Sequence, residues 1–94
     1  MKQHRNILQI LTESADLPAE AIHNVPLVEL AGDNRVLIEN HGGVCEYGGE
    51  RIRVRLSYGQ LCVCGSGMEL ARMNQEQLVI SGRIDSVTLI RGRK

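Results

Sequence analysis

From residue 27 onward the chain alternates apolar and polar positions with a period of two, broken at short intervals by glycine and asparagine. The clearest stretch is RIRVRLSYGQLCVCG, residues 51–65. Ile52, Val54 and Leu56 leave one face of an extended strand and Arg51, Arg53 and Arg55 the other, a separation that a helix at 3.6 residues per turn would not give. After Ser57-Tyr58-Gly59, Leu61 and Val63 resume the apolar face with Cys62 and Cys64 opposite, so the unit reads as a hairpin. The same pattern predicts eight short strands: residues 27–31, 35–39, 44–47, 51–56, 60–64, 68–73, 77–81 and 84–90. Gly32-Asp33-Asn34, Asn40-His41-Gly42-Gly43, Gly48-Gly49-Glu50 and Ser66-Gly67 separate them with residues that tolerate positive φ. The expectation is a mainly β fold, an antiparallel meander forming a sandwich, a roll or a sheet of stacked hairpins.

Before residue 27 the period changes. Ile7, Ile10, Leu11 and Ser14, widened by Leu8, form one stripe of a three-turn amphipathic helix. Asp16 and Pro18 signal a second, short helix, which ends near Val25 because the residue before Pro26 is pushed to extended geometry. Residues 1–25 are thus expected as a helical arm and residues 26–94 as an all-β domain. Within that domain LVELA, VCEYG, LCVCG and LVISG recur every 17 residues, with Gly48, Gly65 and Gly82 in register. Such units, each a strand, a glycine turn and a return strand, would stack to bury their apolar faces.

Ninety-four residues make one modest domain, and 43% hydrophobic with 23% charged residues is an ordinary globular balance. Two tyrosines are the only aromatics, so the core must be aliphatic, and readers of single-stranded nucleic acid or carbohydrate that stack ligands on rings are disfavoured. Net charge is zero but unevenly spread: Glu29, Asp33, Glu39, Glu46 and Glu50 dominate the stretch before Arg51, and bases dominate after it. The halves are complementary, within one fold or between subunits.

Three cysteines are an odd number, and Cys62 and Cys64 share one strand face, which is no secreted disulfide framework and fits a reducing, cytoplasmic compartment. The apolar run after Lys2 and Arg5 is too short and polar for a signal peptide, and no window approaches a membrane span, so no direct insertion is expected. Cys45, Cys62 and Cys64, with His41 nearby in sequence, are the metal-ligand types that could cluster. A C-x-C on a straight strand splays its thiols, however, and packing is the favoured role, with no metal or other cofactor expected. The Arg51, Arg53 and Arg55 stripe could follow phosphates; without interleaved rings or net positive charge, a solvated face paired with Glu39 and Glu46 is favoured over nucleic acid. No nucleophile, base and acid set, paired carboxylates or phosphate loop can be assembled, so an enzyme is not expected.

LIENHGGVCEY (residues 37–47), RIRVRLSYGQLCVCGSGMEL (51–70) and LVISGRIDSVTL (78–89) together resemble the YabP/YqfC family of sporulation proteins, nearer its YqfC side. The matching features are Leu17-Pro18, Pro26, Ile38-Glu39-Asn40-His41, Ile52-Arg53-Val54, the span from Gly59 to Gly65 and that from Ile80 to Ile84. The resemblance implies a non-enzymatic protein of endospore-forming bacteria, acting in the mother cell beside a membrane-associated partner of the YqfD type. Cys62 and Cys64 depart from the family pattern. Acting by protein contact, and expected as a homo-oligomer, the chain would present Asn40, His41, Arg51, Arg53, Arg55, Cys62 and Cys64 to partners. The rival reading is a metal- or redox-responsive module using Cys45, Cys62 and Cys64.

Overall fold

The structure is a computed structural model that describes residues 25–92. The helical arm expected over residues 1–25 lies outside the described residues, save its last position. The described residues form six antiparallel strands: β1 (Leu27–Ala31), β2 (Arg35–Glu39), β3 (Val44–Glu46), β4 (Arg51–Leu56), β5 (Gly59–Met73) and β6 (Gln77–Arg91). They make one sheet in the order β1-β2-β6-β5-β4-β3. The mainly β, antiparallel expectation holds; the count of eight strands and the simple meander do not. Segments 60–64 and 68–73 join into the 15-residue β5, and 77–81 and 84–90 into the 15-residue β6. The long β5–β6 hairpin sits between β2 and β4.

The 17-residue pattern accounts for this miscount. In its first two units the glycine-containing break is a true turn, giving the β1–β2 and β3–β4 hairpins. In the last two, Gly65 and Gly82 sit inside strands, and the chain bends there and continues forward. Pairing between β5 and β6 shifts register between Cys64 and Gly65, between Ser66 and Glu69 and between Leu70 and Arg72. Such bulges bend a strand and raise its twist.

The bend is sharp enough to bring the two ends of β5 together. Straight, 15 residues would span about 50 Å. Yet Gly42 donates its N–H to the Arg55 carbonyl at 2.7 Å, and the neighbouring His41 ring reaches the Asn74 carbonyl at 2.9 Å. Arg55 pairs with Gln60 near the start of β5, and Asn74 follows its end. The sheet therefore rolls over on itself. Its inner faces meet in one aliphatic cluster: Val36 and Ile38 of β2, Ile52, Val54 and Leu56 of β4, Leu61, Val63 and Met68 of β5, and Leu78 and Ile80 of β6. No polar side chain among the described residues is buried with them.

At the corner the backbones approach too closely for side chains. A Cβ on Gly65 would overlap the Arg83 carbonyl oxygen, and one on Gly82, at φ +138°, would lie 2.7 Å from both the Gly67 oxygen and the Met68 Cα. The flanking strands follow the bend: Gly65 and Met68 donate to the Glu50 and Gly49 carbonyls, and Gly82 and Ile84 to those of Asn34 and Asp33. Because the obstruction at Gly65 is backbone, Gly65→Ala is expected to cost about 3 kcal/mol or more in urea unfolding. Gly49→Ala, with open space around its Cβ, should stay within about 0.5 kcal/mol.

Candidate functional site

Alternation along β4 and β5 places the expected arginines and thiols together on the outer face. Across the sheet Arg51 pairs with Cys64 and then Ser86, Arg53 with Cys62 and then Thr88, and Arg55 with Gln60 and then Ile90. Five of the seven expected contact residues, Arg51, Arg53, Arg55, Cys62 and Cys64, thus share one surface.

The basic stripe is partly neutralised from β3. Glu46 Oε2 accepts from Arg51 Nε at 3.3 Å. Its Oε1 lies 3.0 Å from Arg53 Nε, close enough to pair in charge but misaligned for a hydrogen bond. Arg53 Nη1 donates instead to Gln60 Oε1 at 3.3 Å. With all three ionic side chains more than a third exposed, water screens these pairs, and each is worth at most about 1 kcal/mol. The expected pairing with Glu46 forms; Glu39 instead accepts from the Gln77 amide at 3.3 Å. Arg55 makes no ion pair among the described residues.

The Cys62 and Cys64 thiols are not splayed as expected of a C-x-C on a strand: their sulfurs are 3.8 Å apart, within hydrogen-bond reach, and the residues are half-buried. Burial pushes the Cys62 thiol above its ordinary value, the hydrogen bond and charge of Cys64 push it further, and Arg51 and Arg53 pull back less strongly. Cys45 is not beside them. It is the extra residue of a bulge in β3, where Val44 faces Val54 and Glu46 faces Arg53. With β4 between, β3 and β5 are about 10 Å apart. Among the described residues no group of three or more His, Cys, Asp and Glu side chains is placed to hold a metal ion. Val79, which its alternation would allow beside the thiols, faces Leu37 and Arg72 at the other end of the sheet, lining an open depression with Glu29 and Arg35.

Asn40 and His41 lie apart from this face. Their segment reads as a tight hairpin turn but is a crossover, because β2 pairs with β1 and β6 while β3 pairs with β4. Asn40 takes φ +62°, donates its N–H to the Glu76 carbonyl at 2.7 Å and its amide to the Val25 carbonyl at 2.9 Å. His41 Nδ1 accepts from the Gly43 N–H at 3.0 Å, which leaves the proton on Nε2 to donate to the Asn74 carbonyl. Both side chains bind the crossover to the rest of the fold. Nothing in a glycine-rich local sequence signals an acceptor 33 residues away.

A family model described as the YabP family matches residues 23–94. The chain is also 25% identical over 91 residues to a Bacillus subtilis (strain 168) protein described as "Uncharacterized protein YqfC", covering 96% of this chain and 98% of that one. No solved structure matches. No helix among the described residues is long and apolar enough to cross a membrane.

The thiol environment predicts an order of reactivity. Since the thiolate is the nucleophile, iodoacetamide at neutral pH should label exposed Cys45 before Cys62, whose labelling should require a more alkaline solution than an ordinary thiol. Cys64→Ala, removing the hydrogen bond, should shift the Cys62 profile toward lower pH, as followed by mass spectrometry of the peptides.

Proposed function

Because the chain belongs to the YabP family, we propose that it is a non-enzymatic sporulation protein that works by protein–protein contact. It serves as an assembly or scaffold factor in the mother-cell cytoplasm of an endospore-forming bacterium, held beside the membrane by a partner of the YqfD type. The observation that supports contact as its mode of action is the outer face of β4 and β5. There Arg55 lacks a counter-charge among the described residues, two half-exposed thiols stand opposite Arg51 and Arg53 on the same face, and Tyr47, 57% exposed, follows β3. A partner surface with carboxylates opposite Arg55 and a small apolar patch opposite the thiols would complete this face.

Deleting the gene should lower heat-resistant spore counts at least about tenfold while leaving vegetative growth unchanged. Unchanged spore counts would overturn the sporulation role. Co-expressed with a YqfD-type membrane protein and solubilised in detergent, the parent chain should co-purify with it. Cys62→Arg, a change on the outer face, should be lost from that complex with its thermal unfolding unaltered; a parent chain that elutes alone would overturn the partner assignment.

A second reading, a metal- or redox-responsive module, draws on the 3.8 Å between the Cys62 and Cys64 sulfurs. That is about the separation of two thiolates on tetrahedral zinc with bonds of about 2.3 Å. On this reading native mass spectrometry in reducing buffer finds zinc that is lost in Cys62→Ser, with Cys45→Ser reporting whether the third cysteine takes part. A metal-free parent spectrum excludes the zinc form.

A further inference from the structure

The bend that rolls the sheet also leaves a strand edge open. β2 pairs with β6 only through Gln77–Ser81 positions, and the turn before it follows β6 no further than Ile84. Beyond that, residues 86–91 of β6 have β5 on one side and no strand among the described residues on the other. The direction of the backbone groups follows from the ladder. Gly92 donates its N–H to the Tyr58 carbonyl at 2.8 Å, continuing the register Gly59↔Arg91 and Gln60↔Ile90. Since these groups alternate sides along a strand, Ser86, Thr88 and Ile90 bond toward β5, while Val87, Leu89 and Arg91 turn their N–H and C=O outward. The open edge is also apolar on its core side. Leu89 pairs with fully buried Leu61 yet is 58% exposed, and half-buried Val87 packs on the core beside Val63.

We propose that this edge pairs antiparallel with the same edge of a second copy of the chain, about a two-fold axis at Thr88. The sequence of the edge is complementary to itself in that register. Val87 faces Leu89 of the other copy, and each such pair exchanges both backbone hydrogen bonds. Their side chains lie on the core side and close the exposed part of Leu89. Ser86 faces Ile90 on the outer side and Thr88 faces Thr88; Asp85, the extra residue of the bulge that ends this regular stretch, comes next to Arg91 of the other copy at both ends. Among the described residues Asp85 is held only by Arg83, at 3.6 Å with the two side chains 60% and 77% exposed, which leaves it available.

The other edges lack these properties. β1 is five residues long, and pairing it with itself along its length sets Glu29 against Glu29. β3 is three residues with a bulge, and the free side of β5 is interrupted between Leu70 and Arg72. Bulged and short edges are poor templates for pairing. From Ser86 to Arg91 the register with β5 runs unbroken. The pairing does not depend on the sporulation reading.

The test is sedimentation equilibrium of the full chain under reducing conditions, across micromolar concentrations. The parent should be a dimer. Arg91→Asp and Asp85→Arg should each weaken it at least about tenfold by setting like charges opposite one another. The double exchange Asp85→Arg/Arg91→Asp should restore it, and an equimolar mixture of the two single variants should form a heterodimer. Leu89→Lys should be monomeric, with the circular dichroism spectrum of the parent establishing that it is folded. A monomeric parent would overturn the proposal. So would a dimer indifferent to both charge reversals and to Leu89→Lys, since that dimer would use another surface.

Discussion

The bend in the β5–β6 hairpin is the constraint on which the rest of this molecule depends. Two 15-residue strands laid straight would expose the whole apolar face of a flat sheet, and the described residues hold no other element to cover it. Folding the hairpin across its middle turns the sheet into its own cover. Val36, Ile38, Leu78 and Ile80 from one end can then share a core with Ile52, Val54, Leu61 and Val63 from the other, all fully buried. The corner demands glycine where backbones touch, at Gly65 and Gly82. The crossover from β2 to β3 holds the ends together through Asn40, His41 and Gly42.

The same bend decides what the surface offers. The arginines and thiols form one surface on the outer face of β4 and β5, while Asn40 and His41 bond to the carbonyls of Glu76, Val25 and Asn74 and tie the crossover to the other end of the sheet. The bend takes β2 away from the second half of β6, leaving regular strand edge with outward N–H and C=O groups. Contact between proteins can use both features, a charged face with a thiol pair and an edge with an apolar lip.

Charge on this molecule is arranged locally. Among the described residues, the acidic stretch before Arg51 and the basic stretch after it meet where Glu46 on β3 lies against Arg51 and Arg53 on β4. These are solvated pairs whose value lies in orienting two guanidinium groups, and little stability rests on them. The Cys62 thiol beside them is governed mainly by burial, which keeps it protonated to higher pH than an ordinary cysteine despite the nearby cations.

Period-two alternation in the sequence determined the β class, the β4–β5 hairpin and the face of every residue in β4 and the first half of β5, because side-chain direction on a strand is a local property. The family resemblance was legible too, and the match over residues 23–94 bears it out. Other features were decided only by the tertiary structure. Gly65-Ser66-Gly67 reads locally as a turn, yet it is a bend, since whether a glycine reverses or merely kinks a strand depends on which strands flank it. The separation of Cys45 from Cys62 and Cys64 required knowing that β4 lies between β3 and β5 and that Cys45 is a bulge residue. The His41 to Asn74 contact required the roll itself, which brings together positions 33 residues apart. Alternation fixes which way a side chain points, but strand order and curvature, set by where the aliphatic faces can cover one another, fix what it meets.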